Sequence, residues 1–109
     1  MAGIDYGELE RIRAGLESEV EGFPRDKCEI AAERVALILG LRMVEGIIKT
    51  DEGLQHHVFN YDSQTMAYVD VSADQFRGFE AQKILVTPIK ENGIYREVRD
   101  HDYQGISAD

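Results

Sequence analysis

Basic residues are scarce in this chain: Lys and Arg number 12 against 21 Asp and Glu, a formal net charge of −9 over 109 residues. Affinity for phosphate backbones and anionic membranes rests on clustered Lys and Arg, so nucleic acid and lipid are set aside as partners. Cysteine is scarcer still, with Cys28 alone, so no internal disulfide can form and a disulfide-stapled secreted domain is excluded. The one longer apolar stretch is interrupted by Glu33, Arg34 and Arg42, which excludes a spanning helix. The opening residues Met1-Ala2-Gly3-Ile4-Asp5 lack the basic and apolar blocks of a signal peptide, so the expected compartment is the reducing cytoplasm. No Gly-rich phosphate loop is present, because Gly46, Gly53, Gly78 and Gly93 are scattered; no cofactor is expected. His56, His57, Asp62, His101 and Asp102 form no compact ligand spacing, and adjacent histidines on a strand point to opposite faces, so no metal is expected either.

What remains is a globular mixture, 43% apolar and 30% charged, of a size that one core can serve. A single domain over 1–109 is expected, with 1–25 an N-terminal helical extension and 100–109 a flexible polar tail. Leu9, Ile12, Leu16 and Val20 recur at helical steps and predict an amphipathic helix over 5–21, with Glu8, Glu10, Arg11, Arg13 and Glu17 on its polar side. Gly22 and Pro24 stop it. Asp26 and Glu29 have the spacing of a capping box, so a second helix is expected from Asp26 to Gly40. Cys28, Ala31, Ala32, Val35, Ala36 and Leu39 share one face of it, and Ile30, Leu37 and Ile38 widen the apolar surface enough to predict that most of this helix is buried. Strands are expected over 43–48, 56–61, 66–72 and 83–87, with 94–98 an edge strand or short helix and 73–82 a polar segment. The fold class is therefore α+β, N-terminal helices packed on a small antiparallel sheet.

With Asp26 as N-cap, Cys28 is the second residue of the helix, where free N–H groups and the helix dipole favour a thiolate and could hold a developing oxyanion. Taken alone, it reads equally as a small apolar residue filling the helix face. The two strands around Asp62-Ser63-Gln64-Thr65 pair most tightly with Tyr61 opposite Met66, which sets His57 opposite Asp70 on one face and His56 on the other. A slip of one residue would bring His56 into the site instead. A thiol at a helix start, with a histidine and an aspartate brought together by a hairpin, is the layout of a cysteine nucleophile, its base and an orienting acid. Seen apart from Cys28, the His57 and Asp70 pair also reads as a cross-strand ion pair.

Residues 28–76 resemble the transglutaminase-like branch of the papain-like cysteine peptidase superfamily. The matching parts are Cys28-Glu29-Ile30-Ala31-Ala32, Leu39-Gly40-Leu41, Val44-Glu45-Gly46, His57-Val58-Phe59-Asn60 and Tyr68-Val69-Asp70-Val71-Ser72 leading to Asp74-Gln75-Phe76. The resemblance implies a papain/transglutaminase-like minimal core, with Cys28 the nucleophile, His57 the general base and later acid, and Asp70 the residue orienting the imidazole. Phe59 stands where that family usually has Trp, and so falls on the wall of the acyl site. Gln55, Asn60 and Gln75 are candidate oxyanion donors, with Phe59, Asn60 and Gln75 grouped as substrate-binding residues. The expected activity is cysteine-dependent acyl transfer, hydrolysis of an amide or peptide first and transfer to an amine second. Its substrate would be a peptide, a protein or a small amide or ester. The alternative is a non-catalytic binding module on the same fold, whose acidic surface meets a basic partner.

Overall fold

A computed structural model describes residues 3–98. Two helices precede five strands: α1 (Tyr6–Glu19), α2 (Cys28–Leu39), β1 (Arg42–Thr50), β2 (Gly53–Asp62), β3 (Ala67–Asp70), β4 (Leu85–Pro88) and β5 (Tyr95–Glu97). All pairings are antiparallel, in the order β4-β3-β2-β1-β5, so the α+β class holds, with β5 as an edge strand. No helix among the described residues is long and apolar enough to cross a membrane. The tail over 100–109, with His101 and Asp102, lies outside the described residues.

The helices cover one face of the sheet. Leu9, Ile12 and Leu16 of α1 and Ala31 and Val35 of α2 meet Val69 and Val71, forming one core in which α1 is an integral layer. α1 is capped by Asp5, whose Oδ1 accepts the Glu8 N–H at 3.0 Å. The opposite face of the sheet carries a second core of Val44, Ile48, Phe59, Tyr68 and Tyr95. Residues 73–82 cross that face, and the segment read as polar contributes Phe76 and Phe79 to its cover.

Two expectations for α2 need correction. Asp26 is not its N-cap: the cap is Lys27, with no side-chain hydrogen bond, and Asp26 adopts a left-handed φ of 57°. The cause is tertiary. Successive turns fix residues 22–27, and the Asp26 N–H donates to Gln75 Oε1 at 3.0 Å, which holds its backbone in the turn. The helix therefore opens at Cys28 itself, and ends as expected at left-handed Gly40, whose N–H donates to the Ala36 carbonyl. The second correction concerns burial. Leu37 is 79% exposed, Ile38 51% and Ile30 42%, because α1 and the sheet cover only the Ala31, Ala32 and Val35 side.

Candidate active site

The hairpin that carries His57 and Asp70 forms with a register two residues away from the tightest one. Tyr61 pairs with Tyr68, Asn60 with Val69 and Asp62 with Ala67. The loop is thus four residues, shaped by Asp62, whose carboxylate accepts from the Gln64 N–H at 3.0 Å and the Thr65 hydroxyl at 2.8 Å, and by Met66 at a φ of 55°. Continuing that register places Asp70 level with Phe59, so His57 and Asp70 are diagonal neighbours rather than opposed ones. An even shift preserves the face of every side chain, and the two residues still meet.

His57 Nε2 lies 2.7 Å from Asp70 Oδ2, and both side chains are almost wholly buried. Asp70 has three further hydrogen bonds. Oδ2 accepts from the Tyr95 hydroxyl at 2.7 Å, and Oδ1 accepts from the Ser72 N–H at 3.0 Å and the Ser72 hydroxyl at 3.3 Å. The imidazole is held by aromatic rings: Phe59 stacks at 5.8 Å between centroids, and Phe76 meets it edge-on at 4.9 Å. Gly46, paired with His57, leaves room for Phe59 and β5, since a Cβ there would lie 3.1 Å from the Phe59 ring and overlap the Arg96 carbonyl oxygen.

β3 ends at Asp70, so the stretch of β2 before Asn60 has no partner on that side. The backbone N–H of Val58 lies near the Cys28 sulfur there and favours its thiolate. The thiol sits beside the imidazole, short of a well-formed hydrogen bond: Nδ1 is buried without a partner, yet each group perturbs the other's proton affinity. With Nε2–H directed to Asp70, Nδ1 is the nitrogen left to take a proton from sulfur.

The electrostatics favour a charged pair. Burial pushes the Cys28 thiol up, but His57 and the Val58 N–H outweigh it and Asp70 together, and the net shift is down. Burial depresses His57, yet the Asp70 carboxylate and Cys28 raise it from 6.5 to about 9. Burial opposes the Asp70 charge as well, and the contacts with His57, Tyr95 and Ser72 hold its carboxyl below the usual range.

The remaining candidates lie elsewhere. Asn60 projects from the other face of β2 and donates from Nδ2 to the Ala32 carbonyl at 2.9 Å, pinning α2 to the sheet. The Gln75 amide is also committed, accepting from Asp26 and donating from Nε2 to the Ser72 carbonyl at 3.1 Å. It ties the approach to Cys28 to the segment after Asp70. Phe59 is buried beneath the imidazole and offers no wall to a ligand. Gln55, half-buried, pairs with Ile48 on the face of His57. His56, exposed, pairs with Ile47 on the opposite face. No group of three or more His, Cys, Asp or Glu that could hold a metal occurs among the described residues.

Three supporting residues escaped the sequence reading. Arg13, placed there on the polar side of α1, is buried and grips Asp74 with two bonds of 2.6 and 2.7 Å. It also donates to Glu17 and to the Val71 and Lys83 carbonyls. Its position four residues after Leu9 and three before Leu16, on the buried stripe, was the available signal. Tyr95 and Ser72 left no such signal, because their partner is distant or defined only by the turn after β3.

The concavity at Cys28 is small, about 90 Å³, lined by Cys28, Glu45, Gly46, His56, His57 and Val58. Larger hollows of about 330 and 490 Å³ lie beside Tyr61 and Lys83. Neither contains a nucleophile with a base, so chemistry rather than size selects the site. No family model matches this chain, and no curated protein or solved structure matches it either.

Proposed function

We propose that the chain is a cysteine-dependent acyl-transfer enzyme that hydrolyses an amide or peptide bond, with transfer of the acyl group to an amine as the second possibility. One observation carries this reading: Cys28 opens a helix beside the unpaired Nδ1 of His57, whose other nitrogen is fixed by the buried Asp70. The resemblance of residues 28–76 to transglutaminase-like cysteine peptidases supports the same roles.

In the reaction, His57 takes the thiol proton and the thiolate attacks the substrate carbonyl carbon. The oxyanion is held by N–H groups of the first turn of α2, which lack intrahelical acceptors. His57 returns the proton to the leaving amine as the C–N bond breaks. It then deprotonates water, or an amine, which attacks the thioester and releases the acyl group with the thiol restored.

The test is iodoacetamide alkylation of Cys28 between pH 5 and 9, with a panel of electrophilic amide and peptide probes for trapping. Alkylation that stays fast at pH 6 to 7, where an ordinary thiol is largely protonated, supports the proposal; a profile like that of free cysteine overturns it. The concavity of about 90 Å³ favours the second reading, a binding module whose acidic surface meets a basic protein. Partner capture that persists unchanged in a folded Cys28→Ala variant would establish that reading.

A further inference from the structure

β5 lies outside the stretch that resembles the cysteine peptidases, and it is only three residues long, yet its construction is elaborate. Asn92 Oδ1 accepts from the N–H groups of Ile94 and Tyr95, and Asn92 Nδ2 donates to the Tyr95 carbonyl at 2.6 Å. The clamp fixes the Tyr95 backbone just where β5 joins β1, at the Ile48 and Tyr95 pair. The ring is 5% exposed, tilted against Phe59 at 4.6 Å and Tyr68 at 5.7 Å, and its hydroxyl ends on the same Asp70 oxygen that His57 uses.

We propose that Tyr95 is a positioning residue for the acyl-transfer site: its hydroxyl fixes Asp70 Oδ2, and through that oxygen the His57 ring that faces Cys28. The inference rests on the acyl-transfer reading. Asp70 is reached from three sides, by His57 on β2, by Ser72 after β3 and by Tyr95 on β5. The Ser72 contacts hold only Oδ1. Without Tyr95, Oδ2 keeps a single donor and the carboxylate can rotate about its remaining anchor, taking the imidazole with it. Other ionisable groups near the site are Cys28 beside His57, Glu45 and His56 lining the same concavity, and Tyr68 beside Tyr95; the Tyr68 hydroxyl donates to Glu97 at 3.0 Å, away from Asp70.

That separation supplies the control. Tyr95→Phe and Tyr68→Phe each remove one hydroxyl from the same aromatic cluster, but only the first touches Asp70. Following the His57 ring resonance by NMR against pH reports the pair without requiring turnover. Tyr95→Phe removes a donor that competes with His57 for Oδ2, so the His57 midpoint is expected to rise by roughly half a pH unit, while Tyr68→Phe leaves it in place. An unchanged midpoint in Tyr95→Phe, or equal movement in both variants, overturns the proposal. If Tyr95→Phe does not fold, Asn92→Ala, which releases the Tyr95 backbone and keeps its ring, is judged by the same midpoint. Iodoacetamide profiles of the unaltered chain keep the two claims apart: slow alkylation defeats the acyl-transfer reading, whereas fast alkylation with coincident midpoints defeats only the role of Tyr95.

Discussion

Replacing Asp70 with Asn tests the site at its most constrained point. The carboxylate accepts four hydrogen bonds, two on each oxygen, from His57, Tyr95 and both groups of Ser72. A carboxamide has one accepting end, so in either orientation its NH2 group faces two donors. With the NH2 toward His57, the imidazole must present Nε2 as an acceptor and carry its proton on Nδ1, the nitrogen facing Cys28. The thiol then loses its base and its ion-pair partner. A free cysteine with a pKa near 8.5 is only about 3% thiolate at pH 7, so full ionisation sets a ceiling of ~30-fold on the reactive form that the lowered Cys28 can lose. The lower intrinsic nucleophilicity of a low-pKa thiolate brings that ceiling down to about 10-fold. The opposed donors cost about 2 kcal/mol, a fall in Tm of roughly 10 °C for a domain of this size. Mass-spectrometric rates of iodoacetamide alkylation at pH 7, beside thermal melts, measure both. A folded Asp70→Asn protein whose alkylation rate stays within twofold of the unaltered chain refutes the reasoning.

Stability should fall on both sides of neutrality, in a way that Cys28 reshapes. His57 is raised from 6.5 to about 9, so its contribution, at most about 3 kcal/mol, is complete below pH 6.5 and is lost as pH rises through 9. The lowered Cys28 works oppositely, adding stability as pH rises toward about 8.5, where the unfolded thiol also ionises, so in denaturant titrations the alkaline decline of the unaltered chain should be shallower below that point than above it. In Cys28→Ala that offset is gone and the decline from about pH 6.5 should be steeper, while the lowered Asp70 produces an acid decline in both proteins as pH falls below about 4. Gly46→Ala should destabilise by about 2 kcal/mol, because its Cβ overlaps the Arg96 carbonyl and crowds Phe59; an unchanged denaturation midpoint would show that β5 yields freely. Arg13→Ala strips the partner from the nearly buried Asp74 and the donor from the Val71 carbonyl, and should cost about 3 kcal/mol by urea unfolding, with a loss below 1 kcal/mol counting against a structural role.

The elements were legible because their signals are local. Apolar spacing marked α1 and α2, aromatic and branched residues marked β2, and Gly40 marked the end of α2. The start of α2 was misread because the Asp26 and Glu29 spacing is also local, whereas the Gln75 side chain that holds Asp26 comes from 49 residues away. The outer face of α2 was misread for a related reason: Leu37 and Ile38 are apolar in sequence, and only the arrangement of neighbours leaves them exposed. His57 and Asp70 were paired from a register two residues off, and the pairing survived because strand parity repeats every two residues.

By itself, the sequence determined the fold class and the order of the elements, since these follow from residue periodicity and composition; which histidine shares a strand face with Asp70 hung on a register that only the folded hairpin fixes. Tertiary structure alone decided how far apart those groups lie and what holds them. The Val58 N–H lies near the thiol, Arg13 and Gln75 brace the segment after Asp70, and Tyr95 arrives from an edge strand to share the carboxylate with His57. Such contacts depend on the summed geometry of several elements, and residue spacing carries no record of them. The one cysteine is visible in the sequence; its altered proton affinity arises from groups that only folding brings to its side.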